Sequence, residues 1–296
     1  MNRIKLFSPF GKLLSDNFVK KQYQVKKLFF TIIICSFAMT LFAQRGWEAG
    51  GWIGASHYYG DINSSFNFKA PHLAGGLIAR YNFNNRLCFK FGANYGKVSA
   101  NDADSKNSYE QARNLSFESV VFDGTGQFEF NFLPYNHGSS TEFFTPYLFA
   151  GLSVFYFNPK AEYNGEMVEL QNLGTEGQFR GEEYSTVQGA IAYGAGFKID
   201  LNYEWSVNVE LSARRLFTDY LDDVSTTYPD KDDLEALRGE TAVALSDPSL
   251  VVGENQIGQE GRQRGNSNNN DSIVFLGVGI VYYFGDIRCP TYGGRR

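Results

Sequence analysis

The chain alternates apolar and polar residues over segments of about ten positions, the period of a strand with one dry face and one wet face. The clearest run is WSVNVELSAR. It places Trp205, Val207, Val209, Leu211 and Ala213 on one side and Ser206, Asn208, Glu210, Ser212 and Arg214 on the other. RLCFKFGANYGK repeats the scheme, with Leu87, Phe89, Phe91, Ala93 and Tyr95 against Arg86, Lys90, Gly92 and Asn94. VQGAIAYGAGFKID sets Val187, Ile191, Tyr193, Ala195, Phe197 and Ile199 against Gln188, Gly194, Gly196, Lys198 and Asp200. In SIVFLGVGIVYYF the apolar side carries Val274, Leu276, Val278, Ile280, Tyr282 and Phe284. Weaker segments at 45–60, 71–83, 113–132 and 143–157 bring the expected total to about eight strands. Within 113–132 the apolar parity changes near Val121 and Phe122, which predicts a β-bulge.

The connections alternate in length. Those around Asn84 and Asn202 are tight, LPYNHGSSTEF is moderate, and those near 61–70, 100–112, 158–183 and 217–271 are long. Short periplasmic turns and long extracellular loops are the habit of outer-membrane barrels. An open sheet cannot cross a bilayer, because its edge N–H and C=O groups would stay unbonded in lipid. The expectation is therefore all-β: a closed antiparallel transmembrane β-barrel of about eight strands, in the cell outer membrane. The apolar faces meet the lipid bilayer and the polar faces meet the lumen. The final VYYF resembles the aromatic terminal-strand signal that barrel-insertion machinery reads.

Composition narrows the picture further. Aromatic residues make up 16% of the chain, and a net charge of -5 offers no basic face, so nucleic acid is not an expected partner. KKLFFTIIICSFAMTLFAQ has two lysines, an apolar core and Ala43 before Gln44, which predicts a secretory signal peptide cut between those two. Its core of about 15 residues falls short of a membrane-spanning helix. Cys35 lacks the small residues of a lipoprotein signal ahead of it, so no lipid anchor is expected. The expected organisation is an N-terminal extension at 1–24 from a start set too early, a signal peptide at 25–43, a barrel at 44–286 with its long loop at 217–271, and a periplasmic tail at 287–296.

A barrel of about eight strands is filled by its own side chains. The charges expected to face inward are Glu48, Arg80, Lys90, Glu129, Lys198, Glu210 and Arg214, of mixed sign, which predicts ion pairs that plug the lumen. The histidines are His57, His72 and His137. GASHYYGD brings Ser56 and Asp61 close to His57 in sequence, but consecutive residues on a strand point to opposite faces, and no G-x-S-x-G occurs. Neither a catalytic residue nor a cofactor is expected. Asp219, Asp222, Asp223, Asp230, Asp232 and Asp233 offer oxygen ligands, but their spacing does not fit a Ca²⁺ loop, and a solvated acidic outer loop is expected. Cys88 and Cys289 are expected near the periplasmic rim as free thiols, and GENQIGQEGRQRGNSNNND as a mobile loop.

The stretches HYYGDIN, FNPKAEYNGEMVELQNLGTEGQ, FTDYLDDVSTTYPD, GRQRG and YYFGDIRCP resemble the PorG family, the outer-membrane barrel component of the type IX secretion system of Bacteroidetes, together with its barrel relatives. The resemblance runs over roughly residues 45–290. It implies a non-enzymatic protein that anchors or positions a periplasmic ring complex, a lipoprotein and its partner protein, at the outer membrane. Asp219, Tyr220, Asp222 and Asp223 stand in the outer-loop motif with a structural role or none assigned. A periplasmic ring is reached only from the periplasmic rim, which makes Tyr135, Asn136, His137, Arg288 and Tyr292 the candidate contacts. Two other readings are weighed beside this one: a small outer-membrane channel or ligand-binding barrel, and a lipid- or glycan-modifying enzyme.

Overall fold

The computed structural model describes residues 46–64, 71–250 and 257–285. Ala43, Gln44, Arg288, Cys289 and Tyr292 lie outside the described residues, as do the expected extension and signal peptide. The strands are β1 (Gly46–Tyr59), β2 (His72–Asn82), β3 (Leu87–Asn101), β4 (Ser116–Asn131), β5 (Phe144–Tyr163), β6 (Glu166–Glu169), β7 (Val187–Asp200), β8 (Trp205–Leu216) and β9 (Ser272–Tyr283). All pair antiparallel. The ladder runs β4-β3-β2-β1-β9-β8-β7-β5, and β4 pairs with β5 to close it. Eight strands thus form a barrel with no free edge, as the alternation predicts. The short β6 lies outside the ring and pairs only with the far end of β5, across a turn in which Asn164 and Gly165 both take positive φ, +53° and +86°.

The outward faces are those of a barrel in lipid. Leu77, Leu152, Leu211 and Leu276 are 69%, 65%, 52% and 53% exposed in a band with no charged neighbour on the same face. Aromatic side chains rim that band, as membrane barrels arrange them. On the short-turn rim Trp47 meets Tyr81 and Trp205 meets Tyr282, each at 5.1 Å between ring centres. On the opposite rim Tyr95 meets Phe122 at 5.1 Å, with Tyr156 next in register. The described loops of the second rim are long and those of the first are short, so the barrel sits in the outer membrane with its long loops outside the cell.

The expected β-bulge is absent. Val121 pairs with Gly96 and Phe157, Phe122 pairs with Tyr95 and Tyr156, and neither ladder skips a residue. What changes at this point is the solvent, not the register. Strands β3, β4 and β5 have 15, 16 and 20 residues, more than the 9–11 that a tilted strand needs to cross a bilayer. Their extra length stands in water, where the inside must be apolar and the outside polar. Val98, Phe117, Val121 and Phe157 therefore point inward, while Lys97, Glu118 and Lys160 point outward. Lys97 pairs with Glu118, and Lys160 reaches Glu169 at 3.0 Å. The inward residues join Tyr58, Leu221 and Ile273 in a core of the soluble-protein type, seated above the membrane.

The lipid-facing assignment predicts an asymmetric response to charge. Leu211→Arg, at mid-depth on the outer face, should destabilise folding by about 2–4 kcal/mol, whereas Glu118→Arg, above the membrane, should cost far less than that. Urea titrations of the two variants folded into vesicles measure the difference.

Candidate functional site in the lumen and its two mouths

The lower lumen is organised around one arginine and one glutamate. Arg80 of β2 lies 2.5 Å from Glu48 on β1 and 2.8 Å from Glu129 on β4. Glu129 also receives Lys198 of β7 at 2.7 Å and Lys90 of β3 at 3.4 Å. Lys90 continues to Glu210 on β8, whose carboxylate accepts the Tyr147 hydroxyl at 2.6 Å. The structure so joins six of the seven expected inward charges in one network spanning six strands. It is buried: Arg80 and Glu129 are fully covered, which only mutual pairing makes tolerable for charges. The seventh, Arg214, pairs a storey higher with Asp123 at 3.2 Å. Asp123 escapes sequence reading because it falls where the parity change looks like a bulge. A polar cavity of about 30 Å³ remains between the storeys, lined by Trp52, Asn94, Gln127 and Asn208 among others. Its volume has room for about one or two water molecules.

The periplasmic mouth is closed by the 132–143 turn. His137 lies 3.0 Å from Glu48 and 3.1 Å from Asp200, and its ring stacks on Tyr283 at 4.2 Å. Tyr135 donates its hydroxyl to Asp200. Gly138 has φ +77°, and a Cβ there would meet the Tyr203 ring at 2.1 Å, so only glycine lets the turn lie against its neighbour. This corrects the expected partner contact: Tyr135 and His137 are 5% and 4% exposed and face the lumen. Asn136 bonds Glu142 within the turn. Burial opposes a charge on His137, but the hydrogen bonds and negative charges of Asp200 and Glu48 outweigh it and raise its pKa to about 9.

The extracellular mouth carries a polar cap built from stretches far apart in sequence. Arg113 grips Asp102 at 2.7 and 2.8 Å and donates to the carbonyls of Asp61 and Arg264. Arg264 lies 3.2 Å from Glu176 and donates to the carbonyls of Asp223 and Ser246. Glu176 accepts the backbone N–H of Ser225 at 2.8 Å and of Thr226 at 3.0 Å. Asp223 accepts hydroxyls from Thr175 at 2.5 Å and Tyr184 at 2.7 Å, and Tyr184 stacks on Tyr220 at 4.6 Å. The Tyr58 hydroxyl sits between Asp222 and Asp271. Two expectations are corrected here. Asp219, Asp222 and Asp223 are buried, not solvated, and Asp222 and Asp223 bond inward to the cap, while Asp232 and Asp233 remain exposed and Asp230 caps the helix Lys231–Arg238. Arg264, in the stretch expected to be a mobile loop, is buried at the centre of the cap.

The remaining candidates do not converge. Ser56 donates to the Lys97 carbonyl at 2.5 Å, His57 contacts Asn63, and His72 contacts Ser99. Cys88 is buried as a free thiol. Among the described residues no group of three His, Cys, Asp or Glu side chains is arranged around a metal. An open cleft of about 220 Å³ between the outer ends of β3, β4 and β5 is lined by His57, Glu110, Glu118 and Lys160 among others.

Residues 26–244 match the family described as Domain of unknown function (DUF6089). No curated protein matches the chain. Solved structures to which it is similar include Neisserial surface protein A, at 10% identity and a TM-score of 0.41, over 81% of this chain and 97% of that one. The outer membrane protein OprG from Pseudomonas aeruginosa matches at 12% identity and TM-score 0.39, over 82% and 98%. Outer Membrane Protein W of E. coli matches at 12% and 0.36, over 82% and 100%.

Two outcomes follow from the site. Glu129→Ala leaves Arg80 and Lys198 buried without their shared carboxylate and should cost about 3–5 kcal/mol in unfolding free energy. The raised pKa of His137 means that its stabilisation is complete below its unfolded value of about 6.5 and is lost as pH rises through about 9. The wild type should exceed His137→Gln in urea midpoint at neutral pH, and the gap should close above about pH 9.

Proposed function

The chain belongs to the DUF6089 family, and from that premise we propose that it is a non-enzymatic assembly protein of the outer membrane. It serves the type IX secretion machinery by holding the periplasmic ring complex, a lipoprotein and its partner protein, against the membrane. The observation that supports this reading most is the closure of the barrel at three levels by its own side chains. The charges in the lumen and the unusual residues of the outer loops are spent on one another. A molecule built this way acts through its surfaces.

The sequence stretches that carry the resemblance also behave coherently. Tyr58 and Asp61 of HYYGDIN, Glu176 of NLGTEGQ, Asp222 and Asp223 of the TDYLDDVSTTY run and Arg264 of GRQRG all meet in the outer cap. Their joint occurrence in one chain has a physical reason, since each needs the others to be buried. For the ring, the periplasmic rim offers Arg86, Ser140, Thr141 and the exposed 202–204 turn in place of Tyr135 and His137. A ligand-binding barrel is the second reading, and the open cleft of about 220 Å³ favours it.

Crosslinking in intact outer membranes, followed by recovery of the tagged barrel, tests the proposal. Co-recovery of a ring-forming lipoprotein and its periplasmic partner is expected. The double variant Ser140→Glu, Thr141→Glu should lose both while still migrating as a folded, heat-modifiable barrel. Recovery of the barrel alone from wild-type membranes would remove the assembly role.

A further inference from the structure

The outer cap has too few cations for its carboxylates. Asp102 is neutralised by Arg113, and Glu176 and Asp223 share Arg264. Asp219, Asp222 and Asp271 are buried without a cation of their own, and Asp61 is half-buried beside them.

Hydrogen counting makes the shortage specific. The Tyr58 hydroxyl oxygen is within hydrogen-bond distance of Asp222 Oδ2 on one side and 3.0 Å from Asp271 Oδ1 on the other. A phenol carries one hydrogen and an ionised carboxylate carries none. With both aspartates ionised, only one of the two contacts has a hydrogen in it, and the other presses two lone pairs together in a buried site. A proton on either carboxyl fills both contacts: that carboxyl donates to the phenol oxygen, and the phenol donates to the other carboxylate. The remaining oxygens already accept backbone hydrogens, Asp222 Oδ1 from Val224 at 3.0 Å and Asp271 Oδ2 from Leu221 at 3.0 Å. The aspartates are therefore held in place for this arrangement.

We infer that the extracellular cap contains a proton-binding site, in which Asp222 and Asp271 share one proton across the Tyr58 hydroxyl, and that release of this proton loosens the loops over the barrel. The site stitches β1 to the 217–228 loop and to the residue preceding β9, which are the two ends of the longest outer loop. The surrounding charges do not substitute for the proton. Asp219 and Asp61 add negative charge from the 217–228 loop and from the loop after β1, and Glu176 adds more from the β5–β7 connection. The nearest cations are Arg113, held by Asp102; Arg264, held by Glu176 and Asp223; and Arg215 at the end of β8, which acts on Asp219.

Burial, reinforced by the neighbouring aspartates, pushes the carboxyls of Asp222 and Asp271 well above the ordinary range. Burial and the charge of Asp61 raise Asp219 to about 7. A carboxyl whose folded pKa is raised binds its proton more tightly in the folded chain. Its contribution is complete below the unfolded value near 4 and is lost as pH rises through the folded value. The cap should thus be tight in acid and loosen through neutrality and above.

Hydrogen exchange of the mature barrel in lipid nanodiscs tests this, with rates corrected for the intrinsic effect of pH. The amides of Leu221 and Val224 should lose protection by about tenfold or more between about pH 5.5 and pH 9, while amides of the β8–β9 ladder stay protected. Asp222→Asn, which carries its donor at every pH, should flatten that dependence. If this variant does not fold, Asp271→Asn offers the same readout. Wild-type protection that is flat across the range would overturn the inference. So would recovery of protection at about pH 9 on adding millimolar Ca²⁺, because a cation, not a proton, would then be the missing charge.

Discussion

Backbone hydrogen bonding in lipid is the constraint on which this molecule depends. Every N–H and C=O in the bilayer must find a partner, and strands meet that demand only when the last pairs with the first. The pairing of β1 with β9 and of β4 with β5 completes the ring. Closure at eight strands then sets the lumen's width, and that width obliges inward side chains to touch across it. Arg80, reaching Glu48 and Glu129 from three different strands, is a consequence of that geometry.

Charge balance divides the interior into two halves of different character. Below, Glu48, Glu129, Glu210 and Asp200 face Arg80, Lys90, Lys198 and a protonated His137, four against four. Removing one partner of such pairs leaves an uncompensated buried charge, which binds the members of the network to one another. Above, Asp61, Asp102, Glu176, Asp219, Asp222, Asp223 and Asp271 face Arg113, Arg264 and, beside Asp219, Arg215, seven against three. The lower half is a rigid plug, and the upper half is held together in part by protons. A barrel with that asymmetry has a fixed periplasmic end and an outer end whose order depends on the medium.

The strands and the sorting of loop lengths were legible in the sequence because both follow from short-range periodicity. Trp205 to Ala213 reads as a lipid face without any knowledge of its neighbours. The parity change at Val121 mimics a bulge because periodicity alone does not say where water replaces lipid. Tyr135 and His137 look like ordinary turn residues in sequence. Only the narrowness of the lumen, with Glu48 and Asp200 within reach, turns them inward. The cap was the least legible part. Asp61, Glu176, Asp222 and Arg264 are separated by up to 203 positions, and no local spacing shows that they meet. Their unusual composition was the one available signal, and it pointed to relatedness without revealing geometry.

The side chains that fill the lumen, above all the network around Arg80 and Glu129, predict a sealed barrel. Conductance of the purified protein in planar bilayers at neutral pH tests this most directly. A sealed lumen predicts an unchanged baseline after insertion, with insertion verified independently by protease protection of the barrel strands. Steady, ion-sized current steps from the wild type would contradict the account and favour the channel reading.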